Sequence, residues 1–322
     1  MEKAVVVHRV GGPDVLSYED HPIGAPGPGE VALRQTAIGV NFVDTYQRSG
    51  LYKVPTPFVA GNEAAGIVTA VGDGVTLFKL GDRVAYSGGP GAYASGRLYP
   101  AQRLVPVPDG IPDDVAAAIV LKGMTAYFML FETYKVVPGS TLLFHAAAGG
   151  VGLIATQWAR ALGATVIGTV GGPEKVAIAA EHCDHVIDYQ NEDFVARVRE
   201  ITGGKGVDVV YDGVGKATFE KSLDCLRPRG LFVHLGSASG TVEVPDLAIL
   251  GDKGSIYVTK PSGNTYLATR EELLRASSAL FDAVLSGHVE PRIHSRFALA
   301  DAGKAHRALE ERRTAGSVIL LP

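Results

Sequence analysis

The sequence predicts an α/β protein, a doubly wound parallel sheet joined to a second, β-rich domain. Three observations lead there. The first third alternates short apolar runs with glycine and proline. The middle alternates apolar runs with amphipathic helical segments. Early in that middle stretch stands a glycine-rich turn, Ala147-Ala148-Gly149-Gly150-Val151-Gly152. A chain of 322 residues has the length of two ordinary domains.

Composition narrows the function classes. Acidic and basic side chains nearly balance, 34 against 30 for a net charge of −4, so no nucleic-acid partner is expected. Arg307, Arg312 and Arg313 form only a local cluster, which a solvated helix face explains. The two cysteines, Cys183 and Cys225, make neither a four-cysteine zinc site nor a disulfide framework, and a cytoplasmic location is expected. The opening MEKAVVVHRVGG lacks the apolar core of a secretion signal. The apolar run DVAAAIVLKGMTAYFMLF is broken by Lys122, which argues against a membrane span.

The elements follow in order. KAVVVHRVGGP, GPGEVALRQTAIGVN, GNEAAGIVTAVGDGV, GDRVAYSGG and QRLVPVP read as short strands between turns, the pattern of an antiparallel barrel or sandwich. After Gly139 the rhythm changes. STLLFHAA, ATVIGTV, HVIDY, VDVVYDGV and GLFVHLG read as buried strands, and between them GGVGLIATQWARALG, PEKVAIAAEH, NEDFVARVREITGG and KATFEKSLDCLRPRG read as helices. Pro173 suits the first turn of its helix. SIYVT is a further strand. Thr269 and Glu272 form a capping box for the next helix, which Gly287 stops. DAGKAHRALEERRTAG places Ala302, Ala305, His306 and Leu309 on one helical stripe, and SVILLP is the last strand. His145, at the end of a buried strand, is expected to be a packed, hydrogen-bonded side chain, with Phe144 and Trp158 in the core.

The turn predicts a dinucleotide. In the G-x-G-x-x-G fingerprint the first glycine permits a tight turn, the second lets backbone approach the pyrophosphate, and the third lets helix pack on strand. Gly149 and Gly152 fill the second and third positions. Ala147 replaces the first, which is tolerable if its φ stays negative. Backbone N–H groups at the helix start, at Gly150 and Val151, would then face phosphate. The end of the second strand holds Gly171 and Gly172 where an acid would bind the ribose of NAD, and Lys175 stands nearby to pair a 2′-phosphate. Glu174 would reach the ribose if the turn shifted. NADPH is the expected cofactor.

At this point the chain resembles the zinc-independent NADPH:quinone oxidoreductases of the medium-chain dehydrogenase/reductase superfamily, the zeta-crystallin-like group. The stretches that carry the resemblance are GVNFVDTYQRSGLY, GNEAAGIVTAVGDGV, GDRVAY, KGMTAYFML, HAAAGGVGLIATQWA, TGGKGVDVVYDGVG and SLDCLRPRG, which span essentially the whole chain. The resemblance implies a GroES-like catalytic domain from residues 1–122 and 264–322, with an NADP-binding Rossmann domain over 123–263. Zinc-dependent relatives carry a cysteine near GVNFVDTY and a histidine in a Gly-His-Glu motif. Here Asn41-Phe42-Val43 and Gly61-Asn62-Glu63 stand in those places, and zinc prefers thiolate, imidazole or carboxylate. Alcohol oxidation, which needs a Lewis acid, is therefore not expected.

By the same resemblance Asn41 lies beside the nicotinamide, and Tyr46 and Tyr52 line the acceptor pocket. Tyr46 or Asn41 donates to the acceptor oxygen, or the tyrosines form an aromatic wall only. Thr125, Tyr189, Gly236, Ser237, Lys260 and Ser317 are carried over as further cofactor contacts. The implied reaction is hydride transfer from NADPH to a quinone. The alternatives are reduction of a 2-alkenal or enone, and a non-catalytic crystallin-like or RNA-binding role. Relatives dimerise through Rossmann edge strands, and GSIYVTK is the natural edge here.

Overall fold

In the computed structural model, which describes residues 2–244 and 246–322, the chain divides into two units. The first comprises Met1–Met124, Leu267–Ser286 and Pro291–Pro322, and the second Thr125–Tyr266 with Gly287–Glu290. In chain order the strands are β1 (Lys3–Val7), β2 (Leu16–Asp20), β3 (Glu30–Val40), β4 (Phe58–Val59), β5 (Glu63–Val71), β6 (Arg83–Ser87), β7 (Gly96–Pro100) and β8 (Val105–Pro106). They continue as β9 (Thr141–His145), β10 (Thr165–Val170), β11 (His185–Asp188), β12 (Val207–Asp212), β13 (Leu226–His234), β14 (Tyr257–Thr259), β15 (Ile293–Ala298) and β16 (Ser317–Leu321). The helices used below are α1 (Phe42–Ser49), α2 (Asp113–Phe128), α3 (Gly150–Ala161), α4 (Pro173–Ala180), α5 (Phe194–Ile201) and α6 (Phe219–Cys225).

The first unit is β-rich. One sheet runs β15-β16-β3-β5-β6-β8 with β7 also on β3, and a smaller one runs β2-β1-β4. All pairs are antiparallel except β15 with β16. The long strand β3 shifts register against β5 at Ala32/Leu33 and Gln35/Ala37, irregularities that bend a strand. Val31, Leu33, Ile38, Tyr86 and Leu320 are buried together in its core. The pairing that matters for the site is Gly39 opposite Glu63, because it places Asn41, just after β3, beside the start of β5. A Cβ on Gly39 would stand 2.1 Å from Glu63 Oε2 and 2.4 Å from the Ala117 carbonyl, so only glycine leaves room for that carboxylate.

The second unit is a six-stranded parallel sheet ordered β11-β10-β9-β12-β13-β14. Successive strands run outward from β9 in one direction and then, from β12, in the other. The carboxyl ends at that switch point are where open α/β sheets bind ligands. Leu143, Ile167, Val210 and Phe232 are fully buried, consistent with a sheet covered on both faces.

One expectation is corrected here, and one is kept. KATFEKSLDCLRPRG is not one helix: α6 stops at Cys225 and β13 begins at Leu226. Pro228 forbids helical continuation and pushes Arg227 into extended backbone. The stretch Asp113–Thr133 is, despite Lys122, apolar and long enough by composition to cross a bilayer. Yet 72% of its most apolar window is buried inside the protein, as in a core helix.

Candidate functional site

The glycine-rich turn lies between β9 and α3. Its left-handed residue is Ala146, at φ 55°, and not Ala147. Ala147 is fully buried, and its methyl is accommodated by Gly168 on β10: a Cβ at Gly168 would stand 2.7 Å from Ala147 Cβ and 2.6 Å from Cys183 Sγ. The alanine in the first fingerprint position is thus matched by a glycine on the neighbouring strand. Gly152 keeps its packing role, since a Cβ there would meet the carbonyls of Ala146 and Ala147 at 2.3 and 2.7 Å. Gly149 is the N-cap in extended backbone, and no side chain caps the helix. The first-turn N–H groups at Gly150, Val151 and Gly152 therefore have no intrahelical carbonyl to donate to.

The end of β10 is built from backbone and one carboxylate. Gly172, at φ 129° and ψ 147°, occupies backbone that only glycine adopts freely, and its N–H donates to Asp188 Oδ1 at 3.1 Å. Asp188 also accepts from the Gln190 N–H and the Asn191 amide, so it braces the turn. Sequence reasoning missed this role, for which the acid ending HVIDY was the available signal. Gly171 is pressed by Tyr189, whose hydroxyl would stand 2.3 Å from a Cβ there. The Glu174 carboxylate lies against the Gly172 Cα, and Lys175 is half-buried in the first turn of α4.

At the ends of β12 and β13, Asp212 accepts from the N–H groups of Val214 and Gly215 at 2.7 and 3.1 Å and from Thr218 Oγ1 at 2.7 Å. Gly236 and Ser237 follow β13, with Ser237 Oγ 3.4 Å from His234 Nε2. His234 Nδ1 is buried without a hydrogen-bond partner among the described residues. Burial, and then the charge of Lys260, push His234 below its ordinary pKa. Lys260 is exposed just beyond β14, and Thr125 is half-buried on α2. His145 is 1% exposed, between Thr169 Oγ1 and Ser222 Oγ at 2.8 and 2.9 Å. Ser222 gives its proton to the Thr218 carbonyl, so His145 Nε2 carries the ring proton and the imidazole is neutral, as burial favours.

The first unit holds a buried polar centre around α1. Asn41 Nδ2 and Lys122 Nζ both donate to Glu63 Oε2, at 2.8 and 2.7 Å, and the Leu121 N–H donates to Glu63 Oε1 at 2.7 Å. Beside it, Asp44 accepts from the Asn41 N–H at 2.8 Å, Asn62 Nδ2 at 2.6 Å and Tyr93 Oη at 3.0 Å. Burial pushes the Asp44 carboxyl up to about 6 against these bonds. Arg48 Nη1 donates to His306 Nδ1 at 3.0 Å, which leaves His306 Nε2–H to donate to Tyr93 Oη at 2.9 Å. Burial, with the Arg48 charge, drives His306 down to about 3. Tyr46 lies on α1, buried, with its ring edge-on to Tyr52 at 5.2 Å between centroids. Ser317 belongs to this unit and donates to the Ala118 carbonyl at 2.8 Å.

The positions that zinc-dependent relatives use hold amides; of the two carboxylates beside them, Glu63 is paired with the Lys122 ammonium and Asp44 is committed to Asn41, Asn62 and Tyr93, so the donor set does not fit zinc. Among the described residues no cluster of three or more His, Cys, Asp or Glu side chains has a metal-holding arrangement. A dinucleotide fits the second unit: an uncapped helix start behind closely packed glycines, a strand end without a free acid, and an orphaned imidazole nitrogen at a neighbouring strand end.

Comparison with known proteins matches two family models to the chain. Residues 27–109 match the family described as alcohol dehydrogenase GroES-like domain, and residues 150–273 the family described as zinc-binding dehydrogenase. The chain is 51% identical to a quinone oxidoreductase of Pseudomonas aeruginosa over the full length of both, and 50% identical to a 2-haloacrylate reductase of Burkholderia sp., covering 100% of this chain and 99% of that one. The solved Escherichia coli quinone oxidoreductase, complexed with NADPH, is 48% identical with a TM-score of 0.97, covering 99% of this chain and 100% of that one. On a similarity that spans both units, the chain belongs to the quinone oxidoreductases of the medium-chain dehydrogenase/reductase superfamily.

Proposed function

We propose that this chain is a cytoplasmic, zinc-independent reductase that transfers hydride from NADPH to a quinone. The observation that carries this reading is the match, over essentially the whole chain, to the Escherichia coli enzyme complexed with NADPH. Bound NADPH supplies a hydride at the nicotinamide ring. The chain's residues do the rest. The N–H groups of Gly150, Val151 and Gly152 hold the pyrophosphate, in a turn shaped by Ala147 and Gly149, whose own N–H groups donate to the Thr169 and Ala146 carbonyls. Gly171 clears space at the strand end, and Lys175 and Tyr189 recognise the 2′-phosphate. Thr125, Gly236, Ser237, Lys260 and Ser317 complete the cofactor's binding surface, and Asn41, Tyr46 and Tyr52 hold the acceptor. A quinone is electron-poor, so positioning supplies much of the acceleration, and an N–H or O–H donor on its oxygen supplies more.

A second reading, reduction of an electron-poor alkene, is favoured by the 50% identity to the 2-haloacrylate reductase. Purified protein is mixed with NADPH or NADH and with a simple quinone or a 2-alkenal, and cofactor oxidation is followed by absorbance. Fast NADPH loss with the quinone, and little with NADH, is expected. Turnover with the alkenal alone moves the assignment to enone reductase. Silence with both, alongside measurable NADPH binding, refutes the catalytic reading. The chain is also read as a homodimer joined at β14, an edge strand with Tyr257 62% exposed, and light scattering that gives a monomer refutes it.

A further inference from the structure

Lys122 is an ammonium in the buried, largely apolar part of α2, 4% exposed, and its partner is Glu63, itself fully buried. A buried ion pair seldom stabilises more than a well-packed apolar pair of the same volume, so stability alone does not account for it. The surroundings are also shaped to keep it. Gly39 leaves the space for Glu63, and the Leu121 N–H takes the second carboxylate oxygen. Asn41 Nδ2 and Lys122 Nζ meet on the same oxygen, Glu63 Oε2. That leaves one N–H of the Asn41 amide and two of the ammonium uncommitted among the described residues, on nitrogens bridged by a single atom.

We infer that Lys122 is a further catalytic residue, which with Asn41 forms a fixed donor pair for the acceptor's carbonyl oxygen, and that Glu63 is the positioning residue that aims both. This rests on the reductase reading above. Hydride addition breaks the nicotinamide C–H bond, forms a C–H bond on the acceptor and moves the acceptor's conjugated electron pair onto its oxygen. That oxygen, or the α-carbon of an enone, later takes a proton from water or from Tyr46. Lys122 keeps its proton throughout. Its part is to hold a cation and two N–H groups where negative charge appears, on side chains that are themselves buried and already fixed by Glu63. A cation supplied by the chain then stands in the polar centre where a metal ion would serve in the zinc-dependent relatives.

The test compares the wild type with Lys122→Met and with the double variant Glu63→Gln/Lys122→Met, which removes both charges and leaves no unpaired ion. Each is assayed with NADPH and a series of quinones and enones graded in electron affinity, and NADPH binding is titrated separately. Both variants are expected to lose about 100-fold in kcat, as for removal of one oxyanion donor, with NADPH affinity within about threefold. The loss should deepen as the acceptor becomes a poorer electron sink, which a merely structural change would not produce. If the single variant does not fold, the double variant decides. A kcat within about threefold of wild type, or a loss uniform across acceptors, overturns the assignment while the reductase reading stands. A wild type inactive with every acceptor overturns that reading and the assignment with it.

Discussion

Gly168→Ala tests why the cofactor turn tolerates alanine in its first fingerprint position. The new Cβ would stand 2.7 Å from Ala147 Cβ and 2.6 Å from Cys183 Sγ, where carbon contacts ordinarily begin near 3.5 Å. Both neighbours must move, and overpacking of this kind costs about 1–3 kcal/mol. Ala147→Gly alone removes one buried methyl, about 1 kcal/mol, and adds a backbone-entropy cost of about 0.5–1 kcal/mol. In the double variant the methyl clash is gone but the clash with Cys183 remains. The two substitutions should therefore couple favourably by about 1 kcal/mol, with incomplete rescue. Trp158, the chain's single tryptophan, lies in α3 of the same unit, so its fluorescence in a urea titration reports the relevant unfolding. NADPH affinity should fall in Gly168→Ala, because the start of the turn is displaced, and partly recover in the double variant. Strict additivity in stability would refute the packing argument, since it would mean that positions 147 and 168 do not share a contact.

Asp44 gives a pH signature. Its folded-state pKa, about 6, lies above the ordinary 3.8, so its contribution to stability is fully present below about pH 4 and lost as pH rises through 6. That amounts to about 3 kcal/mol. Asp44→Asn should remove this component from the stability–pH curve, and superimposable pH dependences for the two proteins would count against it. Lys175→Ala should raise the Kd for NADPH by about 10- to 100-fold, the worth of one charge-assisted hydrogen bond, and leave NADH unchanged. Equal weakening of both cofactors in a binding titration would remove Lys175 from 2′-phosphate recognition. Tyr46→Phe should lower kcat about tenfold with a quinone. An unchanged rate leaves Tyr46 as an apolar wall.

The sequence displayed the fold well because its signals are local. Runs such as LLFH and VIGTV are buried on both faces, and each helix between them carries its own period. The boundary at Cys225 is also local, written in Pro228, although the helical pattern of KATFEKSLDCL runs on past it. What the sequence hid is long-range. Ala147 looked like a relaxed motif because its compensating glycine, Gly168, lies on the next strand. Tyr93 meets Asp44 across 49 residues and His306 across 213, separations at which no periodicity links them. In the sequence Lys122 interrupts an apolar run. An interruption by a cation in a buried helix is itself a signal, because such a charge must be paired, and the partner was the glutamate of GNEAAG.

The direction of the buried network limits where the reaction's proton comes from. Arg48 donates to His306, His306 to Tyr93, and Tyr93 to Asp44, so every hydrogen bond points toward the carboxylate. A relay must accept a proton at one end as it releases one at the other, and this chain begins on a guanidinium that does not deprotonate in proteins. With its pKa pushed down to about 3, His306 also stays neutral near neutral pH. The network therefore holds α1, and with it Tyr46 and the backbone of Asn41, in place, and it delivers no proton. The proton that completes the quinol or the saturated ketone must reach the acceptor from water or from Tyr46. The donors at Asn41 and Lys122 then need only hold negative charge until it arrives.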